Sequence, residues 1–166
     1  SQDMFRLPGI FRTVALTAKP QVQISDIKAI PDLDDTYINA KLHITAQLEN
    51  LSKKAIKGYT IQYSLYANRL YSDENTLLSG VTASAKLEGK LNAKGEINLE
   101  ATLDAANKVN LWSAEAPHRY TLVGELKDAK GRTVQTFSTY VGFRKVEIKE
   151  TPAEKYDVGL AVRYYY

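Results

Sequence analysis

An all-β fold of two packed antiparallel sheets is what this 166-residue sequence predicts, and three observations predict it. Apolar and polar residues alternate with a period of two in several separate segments, the mark of strands with one buried face. Gly, Asn, Asp and Pro fall between those segments, where chain reversals are needed. No stretch carries the apolar stripe that a core-facing helix requires.

Taken in order, Phe11 to Thr17 and Val22 to Ile30 read as strands separated by Lys19-Pro20, because proline brings no N–H to a ladder. Pro20 therefore marks a domain boundary. The clearest strand runs from Lys41 to Glu49, with Leu42, Ile44, Ala46 and Leu48 on one face and Lys41, His43, Thr45, Gln47 and Glu49 on the other. The same alternation returns in Tyr59, Ile61, Tyr63 and Leu65, in Ile97, Leu99, Ala101 and Leu103, and in Tyr120, Leu122, Gly124 and Leu126. Residues 83–95, rich in Gly and Lys, read as an exposed connection between strands. Asp128-Ala129-Lys130-Gly131 reads as a hairpin turn into a strand from Arg132 to Tyr140, with the glycine free to take a positive φ. Beyond Ile148 the alternation gives way to a charged, proline-containing linker over 149–155. Seven to eight short strands spaced in this way match an immunoglobulin-like antiparallel β-sandwich.

Composition narrows the function. A chain of this length supports one domain and buries roughly 68–70% of its unfolded surface, enough for a core without staples. The absence of cysteine excludes thiol catalysis, disulfides and cysteine-based zinc sites, and suits cytoplasm and periplasm equally. Twenty-two basic residues against 19 acidic ones give a net charge of +3, and the basic residues are scattered, so no nucleic-acid partner is expected. No apolar run approaches the roughly 18 residues of a membrane span, and Ser1 to Arg6 lacks the apolar region of a signal peptide.

Few residues suggest chemistry. His43 and His118 have no partner at metal or triad spacing, so no metal site is expected. Asp32, Asp34 and Asp35 fall between two strands, where aspartate caps turns; calcium would want more oxygen ligands. Trp112 is expected between the sheets rather than stacked on a sugar. Tyr63, Tyr66, Tyr71 and Tyr164 to Tyr166 form an aromatic-rich set suited to a contact surface.

Two segments carry a resemblance. Trp112-Ser113-Ala114-Glu115-Ala116-Pro117-His118-Arg119-Tyr120-Thr121-Leu122, followed by Val141-Gly142-Phe143-Arg144-Lys145-Val146-Glu147-Ile148, resembles the sandwich signature of family 2 glycoside hydrolases, the β-galactosidase and β-glucuronidase group. Overall the chain is most similar to the bacterial β-galactosidases. Its Arg119 departs from the leucine more usual there. Asp3 to Arg12 is similar to the closing segment of the family's sugar-binding jelly-roll domain, and Val158 to Tyr166 to the lead-in of its catalytic (β/α)8 barrel.

The resemblance implies three parts: residues 1–19 end a jelly-roll domain, 20–149 form the sandwich, and 150–166 lead toward a barrel. It implies a non-catalytic brace within a retaining enzyme that hydrolyses terminal non-reducing β-D-galactose residues. The catalytic glutamates would lie outside this chain, so it holds no catalytic residue and is expected to be inactive alone. Asp3 would sit near substrate and cation in the whole enzyme. Arg144 and Phe143 are expected to dock the barrel, a planar guanidinium being suited to bridging a junction, and Trp112 and Tyr120 to lie in the core. No cofactor is expected here, although the whole enzyme would use a monovalent or divalent cation. Expected partners are neighbouring domains of the same chain, a carbohydrate substrate and further copies in a homo-oligomer, with no membrane. A reading of another class, a free-standing immunoglobulin-like or fibronectin-like adhesion module, is compatible with the fold, which hosts many functions. The jelly-roll-like and barrel-like ends favour the first.

Overall fold

The structure, a computed structural model, describes residues 12–69, 72, 74–150 and 162–165, with 147–150 and 162–165 as backbone alone. Its strands are β1 (Val22–Leu33), β2 (Ala40–Asn50), β3 (Ile56–Lys57), β4 (Thr60–Asn68), β5 (Asn75–Lys86), β6 (Lys90–Leu91), β7 (Glu96–Asp104), β8 (Tyr120–Lys127), β9 (Thr133–Val141), β10 (Glu147–Glu150) and β11 (Val162–Tyr165). Seven of them build the sandwich, with β1-β2-β7 in one sheet and β5-β4-β8-β9 in the other. Every pairing is antiparallel, and β3-β6 and β10-β11 add two short ladders. The order differs from the constant-type immunoglobulin domain in that the fourth sandwich strand, β5, joins the second sheet.

The alternating pattern explains why the sheets face one another. In β2 the side chains of Leu42, Ile44, Ala46 and Leu48 are buried and those between them are not; in β8 Tyr120, Leu122, Gly124 and Leu126 are buried. With Ile61, Tyr63 and Leu65 of β4 and Leu99 and Leu103 of β7 they form one apolar cluster drawn from both sheets. Burying each such side chain contributes roughly 1.5–3 kcal/mol, so the shared interior drives the assembly.

Glycine sets one detail of that interior. Gly124 pairs with Tyr63 on one side and Phe137 on the other. A Cβ at Gly124 would fall 2.2 Å from Cζ of Phe137, and in that space the rings of Tyr63 and Phe137 meet edge to face at 6.4 Å. Burial pushes the Tyr63 hydroxyl up to about 12.

Polar groups close the sandwich at its margins. Gln135 of β9 accepts from the Ile24 amide at 2.7 Å and donates to its carbonyl at 3.3 Å, substituting for a ladder between β9 and β1. Asn50, wholly buried at the end of β2, donates to the carbonyls of Lys54 (2.8 Å) and Asn92 (2.9 Å) and accepts from the Ser52 amide (3.1 Å) and hydroxyl (2.7 Å). It therefore ties the β2–β3 connection to the β6–β7 turn.

The hairpin at 128–131 forms as the sequence predicts. Gly131 has φ 79°, its amide donates to the Asp128 carbonyl at 2.9 Å, and the Asp128 carboxylate accepts from the amides of Lys130 and Arg132. Three expectations differ. Residues 13–19 form no strand, and Phe11 lies outside the described residues. The 83–95 connection is shorter than expected because β5 runs to Lys86 and β6 occupies 90–91. The period of β5 is hidden by a bulge opposite Leu65, where Gly80 takes φ 72°. Beyond Ile148, β10 continues to Glu150 and pairs with β11; the rest of the expected linker lies outside the described residues.

Replacing Asn50 by leucine strands several buried backbone groups and should lower the unfolding free energy by about 3 kcal/mol in urea titrations. A change below about 0.5 kcal/mol would mean that water satisfies those groups instead. Gly124→Ala should cost about 1–3 kcal/mol, because Phe137 must leave its position.

Candidate functional site

After β9 the chain leaves the sheet, and residues 112–118 lie against it. The Trp112 amide donates to the Phe143 carbonyl at 2.8 Å, and Trp112 forms an isolated bridge with Pro117. Ser113 folds this loop on itself: its amide donates to the Ala116 carbonyl and its hydroxyl accepts from the Ala116 amide, both at 3.1 Å. Phe143 is fully buried and meets Tyr120 edge to face at 5.6 Å. The Tyr120 hydroxyl accepts from the Asn110 amide at 2.7 Å, the tyrosine-corner device of immunoglobulin-like sandwiches at the start of β8. Burial pushes that hydroxyl's pKa up, and the Asn110 hydrogen bond opposes the shift.

With Phe143 turned inward, its neighbours face out. The Arg144 guanidinium stacks over Trp112 at 4.9 Å, and the Arg119 guanidinium over Tyr140 at 4.2 Å. These four side chains, with Val141 and Gly142, line a cleft of about 300 Å³. Among the described residues it holds two fixed positive charges and no carboxylate. Guanidinium groups placed in this way are suited to carboxylate or phosphate partners.

The acidic end of the molecule is built differently. Asp34 accepts from the Thr36 hydroxyl, the Ile38 and Asn39 amides and the Asn39 side chain, and these hold its carboxyl at about 2, the Thr36 bond contributing most. Asp35 pairs with Lys145 at 2.8 Å, and Asp32 lies 3.7 Å from His43. Among the described residues no group of three His, Cys, Asp or Glu side chains could hold a metal.

The structure brings together Trp112, Tyr120, Phe143 and Arg144, and corrects two of their roles. Trp112, expected between the sheets, is half-buried at the cleft wall and outside the buried cluster, because its backbone is tied to the chain beyond β9. Phe143, expected to dock a neighbour, has no exposed surface; it anchors Arg144 from below. Asp3, Tyr71 and Tyr166 lie outside the described residues, as do the side chains of Tyr164 and Tyr165. The sequence alone does not pair Arg119 with Tyr140. Their meeting depends on the β8–β9 register, which pairs Thr121 with Tyr140 and leaves Arg119 two residues away on the same face.

The family model described as "Glycosyl hydrolases family 2" matches residues 22–144. A β-galactosidase of Priestia megaterium is 34% identical over 151 residues, covering 89% of this chain and 13% of that protein. The chain thus spans about 13% of the length of that relative. Among solved structures, a Parabacteroides merdae β-glucuronidase aligns with a TM-score of 0.57 at 23% identity, covering 79% of this chain and 15% of that one. An Amycolatopsis orientalis exo-chitosanase aligns with a TM-score of 0.59 at 18% identity, covering 88% and 15% respectively. Both show the sandwich.

Half-burial sets the expected cost of Trp112→Ala at about 2 kcal/mol, below the roughly 3–5 kcal/mol of Phe143→Ala; urea titrations of the two variants check the order. A depressed Asp34 pKa contributes stability above the ordinary value near 3.8, lost as pH falls toward about 2. Thermal melts over that window should show Asp34→Asn losing less stability on acidification than the parent chain.

Proposed function

The chain belongs to the glycosyl hydrolases of family 2, and from that membership we propose that it is the non-catalytic β-sandwich of a retaining β-galactosidase. In this reading it braces a sugar-binding domain, which residues 1–19 complete, against a catalytic barrel entered through residues 150–166. The whole enzyme releases terminal non-reducing β-D-galactose. Asp3 lies near substrate and cation there, and Arg144 docks the barrel.

The observation that carries the non-catalytic role is the content of the Arg119–Arg144 cleft. Retaining hydrolysis needs two carboxyl groups about 5–5.5 Å apart, one held protonated as the acid. Among the described residues the cleft presents two guanidinium groups and no carboxylate. Asp34 is held ionised by its own loop and so cannot serve as an acid near neutral pH. The galactose preference is supported by the sequence relatives.

A direct assay compares this chain with the protein from its full reading frame on nitrophenyl β-galactoside, β-glucuronide and β-mannoside. The long form alone should turn over the galactoside. Turnover by the 166-residue chain would overturn the bracing role, and a long form acting only on glucuronide or mannoside would overturn the substrate.

A further inference from the structure

We propose that the cleft between Arg119 and Arg144 is a dock for an acidic peptide segment of an adjoining domain, gripped through its carboxylates by both guanidinium groups; this rests on the bracing role above. Arg69 pairs with Glu74 at 2.7 Å and Arg132 with Asp128 at 2.6 Å. Arg119 and Arg144, by contrast, have no acidic partner among the residues whose side chains are described, and each is held instead by a ring. Stacking reduces the conformational freedom of a guanidinium while leaving its N–H groups available, so less ordering is required when a carboxylate arrives.

Charge complementarity selects the occupant. Two cations with no compensating acid among the described lining residues favour a segment with two or more Asp or Glu side chains, which bidentate pairing would fix in orientation. A sugar is disfavoured, because one face of Trp112 and one face of Tyr140 are already covered by arginine. The cleft is also open, Tyr140 being 64% exposed, which suits a surface dock better than an enclosing ligand pocket.

Trp112 is the only tryptophan in the chain, so its emission reports on the cleft alone. Titrating the chain with hexaglutamate should change that emission saturably, and about 0.5 M NaCl should weaken the response. The Arg119→Leu/Arg144→Gln variant should bind at least about tenfold more weakly, with hexaglutamine giving no response in either protein. If the double variant fails to fold by circular dichroism, Arg119→Leu alone, at an exposed position, carries the same test.

No saturable response to hexaglutamate, or equal affinity in parent and variant, overturns the dock. Saturation by galactose or galacturonate below the peptide concentration overturns it in favour of a sugar site. A negative titration leaves the β-galactoside assay standing, whereas a positive titration with a failed assay keeps the dock and removes its glycosidase setting.

Discussion

Each sheet has one apolar face, and neither face has anywhere to go except against the other. That shared interior is the constraint from which the remaining structure follows. Ile44, Leu48 and Leu103 of the first sheet and Ile61, Leu65, Leu122 and Leu126 of the second are buried together, so strand pairing and sheet stacking reinforce one another. The interior also dictates where polar groups are tolerated. Gln135 closes one side by bonding both polar groups of Ile24, and Asn50 is accepted in a dry position because its amide is engaged at both ends.

The arginine cleft is a consequence of that core. Phe143 enters the interior beside Tyr120, which fixes the direction of the chain leaving β9. Alternation then turns Gly142 and Arg144 outward, and the Trp112–Phe143 backbone bond brings the indole to meet Arg144. A cationic surface thus stands on an apolar base. Positioning of this kind suits the proposed bracing role, and among the described residues the cleft lining contains no carboxyl pair.

Two turns use one device at different places. Asp34 and Asp128 each accept from backbone amides of their own loops, and both carboxyls are held below the ordinary range, Asp34 chiefly by Thr36 and Asp128 chiefly by Arg132. In each case the carboxylate replaces hydrogen bonds that the departing strand can no longer supply. Asp34 and Asp128 therefore belong to turn architecture.

The sequence is enough for the all-β class, the core faces of β2, β4 and β8 and the hairpin at Asp128, because period-two alternation and turn chemistry are local properties; in β7 it is right for Leu99 and Leu103, whereas Ile97, on the same alternation, is exposed. It also determined the family, through the Trp112 to Leu122 segment and Gly142-Phe143-Arg144. Tertiary structure alone decided the rest. β5 is disguised by a bulge whose extra residues break the period, and residues 13–19 have strand-like composition without a partner strand in the described structure. Trp112 looks like a core residue until its backbone partner is known, and Arg119 looks like an isolated surface charge until the β8–β9 register sets it over Tyr140. Local pattern says which way a side chain points, but which side chain it meets depends on strand register and on where loops return, and those are settled only when the two sheets close on their common core.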